Sequence, residues 1–122
     1  MLDSIKCADF VLMPCASTPP DVWGLAPCVE VVNERIKATK GELKAAVLFN
    51  RYQKGEFARM AAQGIKDLHH MPLLTSTIKQ YVKVALCIGE GVTVFEFKTK
   101  VYQPPAQQFA QAGDELIGLI NG

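Results

Sequence analysis

The sequence predicts an α/β fold: a small three-layer domain with a short, mainly parallel sheet of about three strands and helices on its faces. Three observations predict it. A continuous apolar run stands at residues 10–15, and residues 44–49 and 72–78 read as two further strands, the first two with the pattern of strands buried on both faces. After each comes a stretch with apolar residues at helical spacing. Strand and helix therefore alternate, as in parallel strands joined by right-handed crossovers.

The first run, Phe10-Val11-Leu12-Met13-Pro14-Cys15, stops at Ser17, Thr18, Pro19 and Pro20. Turn residues at that point end a strand. The helix after it has Asp21 as its expected N-cap. Val22, Leu25, Val29, Val32 and Ile36 form its apolar stripe. Pro27 either starts the regular helix or kinks it, and Gly41 is the expected stop. The second strand, residues 44–49, delivers Asn50 and Arg51 to its carboxyl end. A helix over 53–69 should bury Phe57, Met60, Ala61, Ile65 and Leu68. The third strand covers 72–78, with Pro72 tolerated at its start. A short helix over 80–89, an extended segment over 92–97 and a last helix opened by Pro104-Pro105 complete the reading. That last helix has Phe109, Leu116, Ile117 and Ile120 as its stripe.

Ligands in such a sheet bind outside the carboxyl ends of the strands. Three loops share that rim: 16–21, 50–54 and 79–83.

The 122 residues form a single domain, 1–122, with 13 basic and 12 acidic residues and a net charge of +1. A chain of this length buries roughly 65% of its unfolded surface, enough for a core without staples. Forty-nine percent apolar and 20% charged content excludes a disordered or collagen-like chain. The near-zero charge provides no general footprint for nucleic acid or anionic membranes. Cys7, Cys15, Cys28 and Cys87 form no C-x-x-C pair and lie in or beside apolar stretches. They are expected as reduced, buried thiols of a cytoplasmic protein. The apolar runs fall far short of the roughly 20 residues a membrane helix needs.

Three segments resemble one family. Ala8-Asp9-Phe10-Val11-Leu12-Met13-Pro14, then Ser17 and Pro20-Asp21-Val22-Trp23-Gly24-Leu25, is similar to a strand-and-loop segment of ParA/MinD-type partition ATPases. Val47-Leu48-Phe49-Asn50-Arg51 resembles that family's later V-L-x-N-R strand end. Thr77-Ile78-Lys79-Gln80-Tyr81, then Val94-Phe95-Glu96, resembles the stretch near its carboxyl end. The order and spacing of the three also fit. The resemblance spans nearly the whole chain and implies the carboxyl-terminal half of the family, so half of a P-loop NTPase fold.

The departures bear on activity. Family members use ATP and magnesium, held by a Gly-rich loop with a Lys and a Ser/Thr. This chain contains no Gly-Lys dipeptide, and the family's switch I and Walker B aspartates belong upstream of its motifs. Phosphoryl transfer depends on positioning and charge neutralisation, so the chain is expected to be inactive alone and to need no cofactor of its own. Tyr81 stands where the family usually has Arg, and Pro27 enters a normally unbroken helix.

By resemblance, Asn50 meets the adenine edge, since an amide carries both donor and acceptor. Arg51, Ile78 and Lys79 flank the same site. Pro20, Asp21 and Trp23 fall near the family's dimer interface. The plain alternatives are turn satisfaction for Asn50, a solvated Arg51 and a helix cap at Asp21. Lys79, Lys83, Lys98 and Lys100 form a modest basic set; DNA binding through it would be weak at best. His69-His70 does not present two ligands on one helix face, so no metal is expected.

The expected function is a truncated partition protein, non-catalytic alone. It would act through self-association, as a dimer or strand-exchanged dimer, or through a full-length ParA-type ATPase. Two alternatives stand beside this: a module that regulates such an ATPase in trans, and a weak adenine-nucleotide binder.

Overall fold

A computed structural model describes residues 5–79 and 103–121. The expected helix at 80–89, the segment at 92–97, Tyr81, Cys87, Lys83, Lys98 and Lys100 lie outside the described residues. The element order is β1 (Phe10–Cys15), α1 (Pro19–Gly24), α2 (Ala26–Ala38), β2 (Lys44–Tyr52), α3 (Glu56–Gly64), a π-helical turn (Ile65–His69), β3 (Leu73–Lys79) and α4 (Gln103–Asn121). The three strands are parallel in the order β1-β2-β3, so the α/β class read from the sequence is the observed one.

Central β2 organises the layers. Its side chains alternate between two faces, and residues 45–49 are buried on both. Ala45, Val47 and Phe49 pack with Met13, Cys15, Val22, Val29, Val32, Ala61 and Ile65 under α1, α2 and α3. Ala46 and Leu48 pack with Leu74, Ile78 and Ala112 under α4. The backbone alternates in step. Lys44 N–H donates to Asp9 O at 3.3 Å and Val47 N–H to Pro72 O at 2.8 Å. Even-numbered residues of β2 therefore face β1, and odd-numbered ones face β3.

Several local expectations change. Pro27 does begin a regular helix, at its second position, but a separate short helix, α1, precedes it. The α2 stop is carried by Lys40 as well as Gly41. Lys40 has φ 55° and donates to Lys37 O at 3.1 Å, while Gly41 has φ 85° and donates to Ile36 O at 2.9 Å. This is the paired 6→1 and 5→2 closure of a left-handed helix end.

The expected α3 stripe holds at Ala61 and Ile65 and fails at Phe57, Met60 and Leu68. Ala58, Ala61 and Ile65 are buried, whereas Phe57, Met60 and Leu68 are exposed. Close packing on α1 selects the small residues: a Cβ at Gly64 would stand 3.2 Å from Val22 Cγ1, where a large face cannot fit. The π-helical turn then resets the rotation before Leu68. On α4, Ala112 is buried while Ile117 and Ile120 are exposed, so the expected stripe holds only toward the helix middle.

The outer side of β3 is irregular and α4 secures it. Val47 aligns with Leu73 and Phe49 with Thr77, so β3 bulges between them. The Glu115 carboxylate accepts from Thr75 N–H at 2.8 Å, Ser76 N–H at 2.8 Å and the Thr75 hydroxyl at 3.0 Å. Gln108 Oε1 accepts from Lys79 N–H at 2.8 Å. Partial burial pushes the Glu115 carboxyl up, but the bonds from Ser76 and Thr75 together outweigh it and hold the carboxyl below its usual range.

A depressed folded-state value contributes stability above the unfolded carboxyl range, and the contribution is lost as pH falls through the folded value. Glu115→Ala should cost about 1–2 kcal/mol at neutral pH, the scale of hydrogen bonds to a charged acceptor reduced by solvent exposure. The difference from wild type should shrink below about pH 4. Urea melts at neutral and acid pH measure both.

Candidate functional site

The carboxyl ends of β1 and β2 form a cleft of about 310 Å³, where open parallel sheets place ligands. The β1 side is built by Ser17, Thr18 and Asp21. Ser17 is buried, and its Oγ accepts from Gln53 N–H at 3.1 Å, which joins the two loops. Thr18, not Asp21, is the N-cap of α1, and its hydroxyl oxygen accepts from Asp21 N–H at 3.4 Å. Pro19 and Pro20 occupy the first two helical positions, where a missing N–H costs nothing. The first donor that needs a partner is thus on Asp21. Its carboxylate in turn accepts from the Thr18 hydroxyl, a capping-box exchange shifted to side-chain atoms.

Arg51, Lys54, Glu56 and Phe57 build the β2 side. Asn50 Oδ1 accepts from Arg51 N–H at 2.9 Å, which supports the left-handed φ of 51° at Arg51. Gly55, with φ 150°, starts α3 without a side-chain cap, a conformation costly for any residue with a Cβ. Glu56 is engaged by Arg59 three residues on; the Arg59 hydrogen bond holds the Glu56 carboxyl below its usual range. Both groups are exposed, so the pair contributes little to stability. Among the described residues, neither Arg51 nor Lys54 meets a carboxylate within ion-pair distance.

The cleft is polar, with Arg51 and Lys54 beside Asp21 and Glu56 in its lining. Among the described residues, no histidine lines its walls, and the Ser17 Oγ within it accepts from Gln53 N–H. Of the residues singled out from the sequence, Asp21 and Arg51 come together here. Asn50 is exposed beside them without lining the cleft. Ile78 is buried in the core under α4, and Lys79 ends β3 with its N–H bound to Gln108. Pro20 is exposed, and Trp23 is 64% exposed. Ser17, Thr18 and Lys54 lie in the loops expected at the rim but were not singled out, and Gly55 and Phe57 fall beyond those loops. The Thr18-x-x-Asp21 spacing carried the cap signal, and Lys54-Gly55-Glu56 carried the helix-start signal.

Behind the cleft, α1 is pinned from below. The buried His69 donates from Nε2 to Val22 O at 2.7 Å; a carbonyl only accepts, so the proton is on Nε2. His70 takes the left-handed turn that ends the π-helical segment. Among the described residues, no group of three His, Cys, Asp or Glu is placed to hold a metal. Cys7, Cys15 and Cys28 are free thiols. Cys7 is exposed, contrary to the expectation of buried thiols, because it precedes β1 rather than lying in it. Burial, with a smaller contribution from Asp21, pushes the Cys15 thiol up to about 11. No helix among the described residues is long and apolar enough to cross a membrane.

Among curated proteins, the chain is similar to the Maintenance of carboxysome distribution protein A of Halothiobacillus neapolitanus, with 29% identity over 117 residues. The alignment covers 96% of this chain and 50% of the relative; the chain spans about half the length of the curated relative it matches. This similarity supports a ParA/MinD-like relation. No family model matches the chain, and no solved structure matches it.

Thr18→Ala should lower stability by about 1 kcal/mol, the usual cost of removing an N-cap oxygen. Thermal melts of the two proteins check it.

Proposed function

We propose that this chain is a ParA/MinD-like partition or positioning module that works by association and does not turn over ATP on its own. The similarity along 96% of the chain to a protein named for carboxysome distribution carries the reading. Two of the three segments that resemble the family, at 8–25 and 47–51, run into the β1–α1 and β2–α3 connections that form the cleft, which supports it further. We assign the chain to the carboxyl-terminal, adenine-side half of the family pattern.

Asn50, Arg51, Ile78 and Lys79 would be its nucleotide-side residues. Asn50 Oδ1 accepts from Arg51 N–H, which leaves its amide donor and a second lone pair for a base. Adenine contacts without a phosphate cradle provide weak binding. Lys79, Lys83, Lys98 and Lys100 would add a few phosphate contacts to DNA, strongly reduced by salt. The setting is the cytoplasm, and the partners are a second copy of the chain or a full-length ParA-type ATPase.

One observation favours action on such an ATPase in trans. Val22 is buried and tied to His69, while the adjacent Trp23 is largely exposed. A fixed helix that presents a tryptophan is the anchor geometry of interaction hot spots. Pro20 and Asp21 share that short helix.

Purified protein should release no phosphate from ATP, and titration with ATP and magnesium should give no affinity tighter than about 1 mM. Steady turnover that survives repurification would overturn the non-catalytic reading. Capture of a full-length ParA-type ATPase should weaken at least about tenfold in Trp23→Ala, in the range of hot-spot truncations. An unchanged affinity would remove Trp23 from the contact.

A further inference from the structure

We propose that His69 is the positioning residue of the α1 contact surface: its hydrogen bond to the Val22 carbonyl sets the direction in which Trp23 is presented. The inference deepens the association in trans described above and rests on it for the use of Trp23. His69 is buried, so it acts through α1 and not by touching a partner.

Helix α1 cannot orient itself. Its six residues make fewer than two turns, far short of a helix that holds in water. Pro19 and Pro20 at its first two positions supply no N–H. Thr18 and Asp21 fix its amino end, but a cap does not set the roll of a helix about its axis. Two further contacts meet on Val22. Its side chain is buried, and a Cβ on Gly64 would stand 3.2 Å from its Cγ1. Its carbonyl is one of the last four of the helix, which lack a regular partner within it. That carbonyl accepts from Leu25 N–H at 3.2 Å and from His69 Nε2 at 2.7 Å.

The two contacts differ in kind. Apolar packing is non-directional, so a small roll of α1 costs the Val22 side chain little. A hydrogen bond weakens steeply as its angle departs from linear, and this one reaches α1 from 47 residues along the chain. The roll is therefore set by His69. Successive helical residues stand about 100° apart. With Val22 held inward, Trp23 points aside and is 64% exposed. The donor is a costly choice for this position. His69 is 6% exposed, and a polar ring is expensive to bury unless it is bonded. An aliphatic side chain would fill the space without that cost, but it could not grip a carbonyl.

Trp23 is the only tryptophan of the chain, so fluorescence reports on it alone. His69→Leu fills the space and removes the donor. His69→Gln returns a side-chain N–H at similar reach. The measurements are fluorescence anisotropy and capture of a full-length ParA-type ATPase. In the leucine variant the anisotropy should fall and capture should weaken at least about fivefold; the glutamine variant should recover most of both. Leu74→Val loosens the core layer under α4. It should lower the melting temperature and move neither reading, which separates positioning from general stability. A leucine variant with wild-type anisotropy and capture overturns the proposal. So does a glutamine variant no better than leucine, or a loosened Trp23 with undiminished capture. Should the leucine variant unfold, nitrogen NMR of wild-type His69 decides: a slowly exchanging proton on Nε2 supports the bond, and a proton on Nδ1 overturns it. A wild type that captures no ATPase, with Trp23 still loosened by leucine, removes the association and retains the latch. Capture lost in Trp23→Ala but kept in His69→Leu does the reverse.

Discussion

The burial of β2 on both faces is the constraint on which the rest depends. Residues 45–49 are buried, so the peptides there must find their partners on neighbouring strands. That requirement calls for a strand on each side. Apolar side chains on both faces call for a layer above and a layer below. The parallel arrangement follows, because connections that cross the sheet through helices supply those layers. The cleft is a by-product: parallel strands end together, and their outgoing loops gather at one rim.

Much of this was legible in the sequence because it rests on unbroken apolar runs. The β1 strand was read to its exact bounds, and β2 and β3 to within a few residues. The less legible features depend on tertiary contact. The α3 face turned because Gly64 allows Val22 to approach closely, and no periodicity within one helix encodes a neighbour. The cap moved from Asp21 to Thr18 because two prolines had removed the first donors. The bulge in β3 is a register property of two strands and a helix, which linear spacing does not carry. In the site, the sequence pointed to Asp21 and Arg51, but Ser17 and Phe57 needed the fold to bring the loops together.

The cleft and α1 form one mechanical unit. Ser17 ties the first loop to the second, Thr18 and Asp21 fix the start of α1, and His69 holds its carbonyl end. The π-helical turn brings His69 to that position, since a regular continuation would rotate the ring away from Val22. An irregular turn far along the chain thus fixes the orientation of a short helix that could not hold itself.

The α4 side chains on β3 have a wider consequence. With the N–H groups of Thr75, Ser76 and Lys79 already taken by Glu115 and Gln108, an extra strand approaching that flank would find those donors spent.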